Sequence, residues 1–158
     1  MKPFLGTFHN KVDGKGRVSV PAPFRARLGE DPSGFGGVVV FRSYQVQALE
    51  CCGMGYMEDL NQRVDDFGLF SDEQQGMAAI LFGSAQELPW DSGGRIQIPR
   101  WLLDEVGITE NAAFFGMGKT FRIWDPPALD AFVAEQRATA RARGFTLPPS
   151  RGSQGGAQ

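Results

Sequence analysis

The chain carries one charged turn twice. Residues 12–21 read VDGKGRVSVP and residues 90–99 read WDSGGRIQIP. Asp13, Gly16, Arg17, Pro21 and Gly29 recur as Asp91, Gly94, Arg95, Pro99 and Gly107, all at an offset of 78 residues. Apolar character is kept at Val18/Ile96, Val20/Ile98, Phe24/Leu102 and Leu28/Val106. Two copies at one long offset indicate duplication into two similar halves, not a solenoid of many short stacked units. Whatever fold the chain adopts must hold the same unit twice.

Each half predicts the same order of elements. A short strand (FLGTFHN or AQELPW) leads into a polar, Gly-bearing turn (DGKG or DSGG). The strands RVSV and RIQI then alternate, placing Val18 and Val20, or Ile96 and Ile98, on one face. Pro21 and Pro99 stop these strands. A short helix follows with apolar residues at i, i+4 spacing, and Gly29 and Gly107 stand where a left-handed C-terminal residue is wanted. Two further strands complete each unit, at 38–42 with 44–50 and at 112–117 with 120–124. Between the units, YMEDLNQRVDDF and SDEQQGMAAILFGSA read as helices, with Ser71 as a candidate N-cap. PPALDAFVAEQRATARARG reads as a helix opened by prolines and closed by Gly144. The Pro/Gly/Ser/Gln-rich remainder predicts no packed structure.

The 158 residues suit one ordinary domain or two very small ones, and 42% apolar with 22% charged residues is a globular composition. Adjacent Cys51 and Cys52 offer neither a disulfide framework nor metal-ligand spacing, so they read as ordinary thiols of a reducing compartment. The N-terminal MKPFLGTFHN lacks the apolar run of a signal peptide, and no stretch is long and apolar enough to span a bilayer, so a cytoplasmic location is expected. His9 is the only histidine, and no nucleophile–base–orienter cluster is present. GMGK at 116–119 lacks the full phosphate-loop spacing and reads as a turn between strands. No catalysis, cofactor, metal or small-molecule substrate is expected. Trp90, Trp101 and Trp124 read as core or interface residues.

Net charge is −2, yet the signs are segregated. Residues 1–29 carry Lys2, Lys11, Lys15, Arg17, Arg25 and Arg27 against Asp13 alone. Residues 58–75 carry Glu58, Asp59, Asp65, Asp66, Asp72 and Glu73 against Arg63. One basic and one acidic face are therefore expected. Within each turn, Asp13 or Asp91 can accept backbone N–H groups, Gly16 or Gly94 can supply positive φ, and Arg17 or Arg95 opens the outgoing strand. A lone copy of this pattern reads most simply as a well-made hairpin. Two copies make two basic tips, each with a planar Arg fork suited to phosphate or guanine. Lys11 and Lys15 strengthen the first tip. The second has Arg95 and Arg100 but Gly93 where the first has Lys15.

The doubled D-x-x-x-R motif, with FLGTFHNKVDGKGRVSVPAPFR, GSAQELPWDSGGRIQIP and FRIWD, resembles the MraZ family of bacterial transcriptional regulators almost from end to end. The resemblance implies a mainly β fold with helices, a double AbrB-like, swapped-hairpin β-barrel of two pseudo-symmetric halves. It divides the chain into a first repeat at 7–54, a helical connector at 55–82, a second repeat at 83–126, a C-terminal helix at 127–144 and a tail at 145–158. It further implies sequence-specific binding of double-stranded DNA at the promoter of a division and cell-wall gene cluster, in the nucleoid, by a homo-oligomeric ring of octameric size on short direct repeats. The family's DNA-contacting Arg falls on Arg17 and, through the repeat, on Arg95. Phosphate contacts are assigned to Lys11, Lys15 and Arg25, and loop orientation to Asp13, Gly16, Asp91 and Gly94. The rival readings are an oligomeric scaffold for an acidic protein partner and an enzyme acting on a phosphorylated small molecule.

Overall fold

The computed structural model describes residues 2–152. The first half contains β1 (Thr7–Lys11), β2 (Arg17–Ser19), α1 (Ala22–Gly29), β3 (Gly37–Arg42) and β4 (Leu49–Cys52). Two helices follow, α2 (Met54–Asp65) and α3 (Asp72–Phe82). The second half contains β5 (Gln86–Pro89), β6 (Arg95–Gln97), α4 (Arg100–Glu105), β7 (Asn111–Gly116) and β8 (Phe121–Trp124), and α5 (Pro126–Arg143) closes the described structure. The same element order recurs in both halves. Pro21 and Pro99 cap α1 and α4 with nearly equal backbone angles, φ −52°, ψ 136° and φ −54°, ψ 138°.

Six strands form an antiparallel sheet in the order β1-β7-β8-β4-β3-β5, and β2 and β6 form a separate two-stranded ribbon. Exchanging the halves maps the six-strand order onto its own reverse. The pseudo-twofold axis therefore passes between β4 and β8, where Leu49 stands opposite Ile123. The halves interleave: β1 pairs with β7, and β5 pairs with β3. Each half thus lends its first strand to the hairpin of the other, which is the swapped-hairpin architecture. At the axis, Arg122 donates through Nε to Glu50 Oε1 at 2.7 Å, with both side chains at most 16% exposed.

The main core lies between one face of the sheet and the layer formed by the ribbon, α1 and α4. Val18, Val20, Ile96 and Ile98 enter it from the ribbon, and Val38, Val40, Leu49, Phe114, Phe121 and Ile123 from the sheet. Phe4, Phe24 and Phe121 pack together with ring centroids 4.7–5.4 Å apart. Full burial of each such ring contributes roughly 1.5–3 kcal/mol. The outer sheet face is also covered. The α2–α3 pair packs on Val39, Phe41 and Cys52, and α5 packs on Ala113 and Trp124. Covering on both sides explains why β3 and β7 are apolar at nearly every position instead of alternating.

Several expected local features differ. The strand expected at 44–50 begins only at Leu49, because Ser43 Oγ accepts the N–H groups of Gln45 and Val46, each at 3.2 Å, and holds a bend there. Gly29 is not left-handed. Helix α1 runs through it to Glu30 (φ −83°), and the chain continues right-handed so that Asp31 can accept the N–H of Gly55 at the start of α2. Gly107 and Gly144 do take positive φ, and Ser71 caps α3 through the Gln74 N–H at 3.1 Å. Trp124 is buried and Trp90 packs against the main core, but Trp101 is exposed on α4 because its neighbours Leu102 and Leu103 take the core-facing positions. Of the tail, residues 145–150 carry no helix or strand, Arg151 and Gly152 are helical, and 153–158 lie outside the described residues. The first tail residue is attached: the Phe145 N–H donates to Ala140 O, and Arg143 lies over its ring.

Three alanine substitutions test this backbone. Gly16 has φ +84° and a Cβ there would first meet the Ile98 backbone carbonyl, whereas Gly94 has φ +76° and a Cβ there would first meet the guanidinium of Arg25, the end of a flexible side chain. The left-handed conformation costs an L-residue roughly 1–2 kcal/mol, and a backbone clash adds about 1–3 kcal/mol. Gly16→Ala should therefore lower the denaturant midpoint more than Gly94→Ala. Gly29→Ala, in open helix, should raise stability by about 0.5–1 kcal/mol. A loss of stability on Gly29→Ala would mean that the residue is left-handed after all.

Candidate nucleic-acid interface

Both charged turns close by the same set of bonds. Asp13 Oδ1 accepts the backbone N–H of Lys15 and of Arg17, each at 2.9 Å. Asp13 Oδ2 accepts Arg17 Nε at 2.7 Å. In the second turn Asp91 Oδ1 accepts the N–H of Gly93 at 2.9 Å and of Arg95 at 3.0 Å, and Oδ2 accepts Arg95 Nε at 3.0 Å. Backbone bonds from Gly16 to Asp13 O and from Gly94 to Asp91 O, both 3.0 Å, tighten each loop. Each aspartate thus uses one oxygen on the loop and the other on the arginine. Among the described residues, Arg17 and Arg95 bond through Nε alone, which leaves the Nη donors of each fork unused. With the arginines 38% and 44% exposed, these ion pairs add little stability. Their effect is to fix in advance where each guanidinium sits, which reduces the ordering cost of binding.

The structure joins the two basic tips through one ribbon. Ribbon strands β2 and β6 pair Arg17 with Gln97, Val18 with Ile96 and Ser19 with Arg95. At either end, Ile98 N donates to Gly16 O at 2.9 Å and Val20 N to Gly94 O at 3.0 Å, so each turn is bonded to the strand leaving the other. Because Val18 and Ile96 are buried, alternation leaves Arg17, Ser19, Arg95 and Gln97 on the outer face. Arg17 and Arg95 line one shallow cleft of about 380 Å³. Ser19 and Gln97 were not singled out from sequence. Their position two residues beyond each arginine was the available signal, but the pairing of β2 with β6 was not.

The remaining predicted site residues divide. Lys11 and Lys15 are exposed beside the first turn. Arg25 is half-buried. Its Nε donates to Val20 O at 3.0 Å, and its guanidinium lies over Gly94, so it braces the second turn. Leu103, its repeat counterpart, occupies the same place over Gly16. Arg100, expected at the second turn, instead lines a groove with Lys11 beside the first. His9 is exposed. GMGK is a turn, with Gly118 at φ +88° and Met117 N donating to Thr120 O. Cys51 and Cys52 are buried, and burial pushes the Cys52 thiol up to about 12, so neither supplies a thiolate. Among the described residues no cluster of His, Cys, Asp or Glu could hold a metal, and no helix is long and apolar enough to cross a membrane.

The turn geometry sets a pH dependence. The Arg17 backbone N–H, opposed by partial desolvation and reinforced by the Arg17 side chain and the Lys15 N–H, holds the Asp13 carboxyl at about 2, below the ordinary 3.8. Asp91 is lowered by the equivalent groups, the Arg95 N–H foremost. Since the folded value is the lower one, the carboxylate's hold on the turn is complete above about pH 4 and is lost as pH falls towards 2. An NMR titration should give Asp13 a midpoint near 2, with the Lys15 and Arg17 amides moving alongside it. A midpoint near 3.8 would mean that the turn is open in solution.

Residues 81–147 match the family model described as "MraZ protein, putative antitoxin-like". A protein of Gluconacetobacter diazotrophicus named Transcriptional regulator MraZ is 39% identical over 158 residues, covering 99% of this chain and 99% of its own length. Proteins of the same name from Rickettsia canadensis and Rickettsia akari are 37% and 36% identical over 147 residues, each covering 93% of this chain and 97% of their own length. With such identity along nearly its whole length, the chain belongs to the MraZ family of transcriptional regulators.

Proposed function

We propose that the protein regulates transcription by laying the β2–β6 ribbon into the major groove of DNA. The observation that carries this reading is the single outer face on which Arg17 and Arg95 stand, each restrained by an aspartate and each with its Nη donors unused. A two-stranded antiparallel ribbon fits a groove about 12 Å wide, and an Arg fork matches guanine O6 and N7. Arg17 and Arg95 read bases, while Lys11 and Lys15, with the remaining donors of Arg25, contact phosphates. Asp13 and Asp91 stay off the DNA: their oxygens are already occupied, and phosphate repels them.

One short ribbon buries too little surface to select one site in a genome, so several subunits must act together. We place them in a homo-oligomeric ring that reads short direct repeats at the promoter of a division and cell-wall gene cluster, in the nucleoid of the cytoplasm. Heterologous, head-to-tail neighbours in a ring point the same way along DNA, which calls for direct repeats instead of a palindrome. Phe67, Leu69 and Phe70, at the tip between α2 and α3, are 51–79% exposed in the single chain and lie among acidic residues, consistent with a surface covered on assembly.

Two experiments test this reading, both using a duplex selected from a randomised pool by the wild-type protein. In a mobility-shift titration, Arg17→Ala should abolish specific binding and Arg95→Ala should weaken it, since each bidentate Arg–guanine contact is worth about 1–3 kcal/mol and the loss multiplies over subunits. Lys15→Ala should lower affinity for all DNA and flatten the log–log salt slope by about 0.9. Wild-type affinity in Arg17→Ala would return the turn to a purely structural role, and binding to an acidic protein but to no duplex would favour the scaffold reading. Separately, inserting half a helical turn between two repeats should sharply reduce affinity. Unchanged affinity would mean that each ribbon acts alone.

A further inference from the structure

The ribbon is nearly symmetric, but its two ends differ. The pseudo-twofold axis relates Arg17 to Arg95 and one closed turn to the other. Duplex DNA has local twofold axes of its own, so a symmetric ribbon would fit a site equally well either way round. Orientation must then come from residues that break the symmetry.

Equivalent positions can be matched through shared backbone bonds. Val12 N donates to Glu110 O as Trp90 N donates to Gly36 O, and Lys11 pairs with Asn111 as Pro89 pairs with Gly37. On this basis Pro89 replaces Lys11, Gly93 replaces Lys15 and Ala22 replaces Arg100 at the second end. Beside the first turn, Lys11 and Arg100 form the walls of an open groove of about 590 Å³, with Gly14, Thr109 and Asn111 between them. Two carboxylates border the groove. Asp13 is neutralised by Arg17 and by two backbone N–H groups, which leaves Glu110 against Lys11 and Arg100. At the second end, among the described residues, the one cation besides Arg95 is the half-buried Arg25, packed over Gly94 with its Nε held by Val20 O and lining no such groove, and the exposed Glu87 stands where His9 stands at the first. The groove is lined by Asp13 and Gly14 of the first turn, at one end of the ribbon, so its candidate occupant is a phosphate flanking the bases that the ribbon reads.

We propose that the Lys11–Arg100 groove seats a DNA backbone phosphate and, having no counterpart beside the second turn, sets which way round each subunit lies on its half-site. This inference rests on the DNA-binding reading above. It deepens that reading by giving the single ribbon a direction, with the first turn leading towards the better-neutralised strand. Ring assembly then repeats that direction along the DNA, and the asymmetry of the half-site has its source inside one subunit.

The test is directed DNA cleavage. Ser92→Cys, on the exposed second turn, is labelled with an iron chelate that generates hydroxyl radicals; the native cysteines are both buried. With the selected duplex, the labelled protein should cut on one flank of every half-site. Adding Lys11→Ala and Arg100→Ala should flatten the salt slope by about 0.9 for the one phosphate released in each subunit, and spread the cuts over both flanks. In the converse variant, Ala22→Arg with Gly93→Lys, the second end gains charge. It should bind DNA several-fold more tightly and also cut both flanks, a gain that misfolding cannot mimic. One-flank cutting that survives in both variants, or an unchanged slope in the first, overturns the proposal. Two-flank cutting by the labelled parent overturns it too, while leaving the DNA reading intact. Failure of the wild-type protein to select any duplex removes both.

Discussion

The exchange of first strands between the two halves is the constraint on which the rest of the molecule depends. β1 finds its partner in β7 and β5 finds its partner in β3. Neither half can satisfy its own backbone groups, so one half without the other would leave a sheet edge unpaired and the main core open. The exchange also fixes the ribbon. Each first strand runs directly into a charged turn, and each turn delivers a three-residue strand onto the same side of the six-stranded sheet, where the two strands pair. The proposed function rests on that closure, because the two arginines become neighbours only once the halves have interleaved.

Within this frame the aspartate of each turn has two effects at once. It closes the loop through two backbone N–H groups, and it holds the arginine through Nε. An exposed ion pair is a poor source of stability. It is well suited to presetting a guanidinium whose outer donors remain free. The Asp13 carboxyl is ionised at any physiological pH, so the presetting does not vary with the cell's acidity; the bonds to the turn extend that hold into acid, down to about pH 2.

Much of this was legible in the sequence because a duplicated unit can be compared with itself. The matched Asp, Gly, Arg and Pro positions, the alternation of Val18 and Val20, and the i, i+4 pairs of the short helices all report local geometry, and local geometry is what spacing encodes. What escaped was non-local. Nothing in the spacing says that β2 pairs with β6, so the sequence shows two basic tips, and only the structure joins them in one ribbon with Ser19 and Gln97 on its face. Arg100 was assigned to the turn nearest in sequence, although the chain carries it across to Lys11. Gly29 looked like Gly107, but the two continue differently: Asp31 keeps the chain right-handed after α1 in order to hold the start of α2. The helix-covered outer face explains why β3 and β7 do not alternate, a pattern that by itself does not distinguish a strand buried on both faces from other apolar runs.

The central claim is that both repeats contribute to a single DNA-reading surface. Hydrogen–deuterium exchange of the full chain, with and without the selected duplex, tests it most directly. The account predicts that the segments 13–19 and 91–97 gain protection together, saturating at the same DNA concentration, while the α2–α3 tip at 66–71 shows no change that follows DNA. Protection confined to 13–19, with 91–97 exchanging as in the free protein, would contradict it: the second turn would then be a structural copy and the ribbon would not act as one surface.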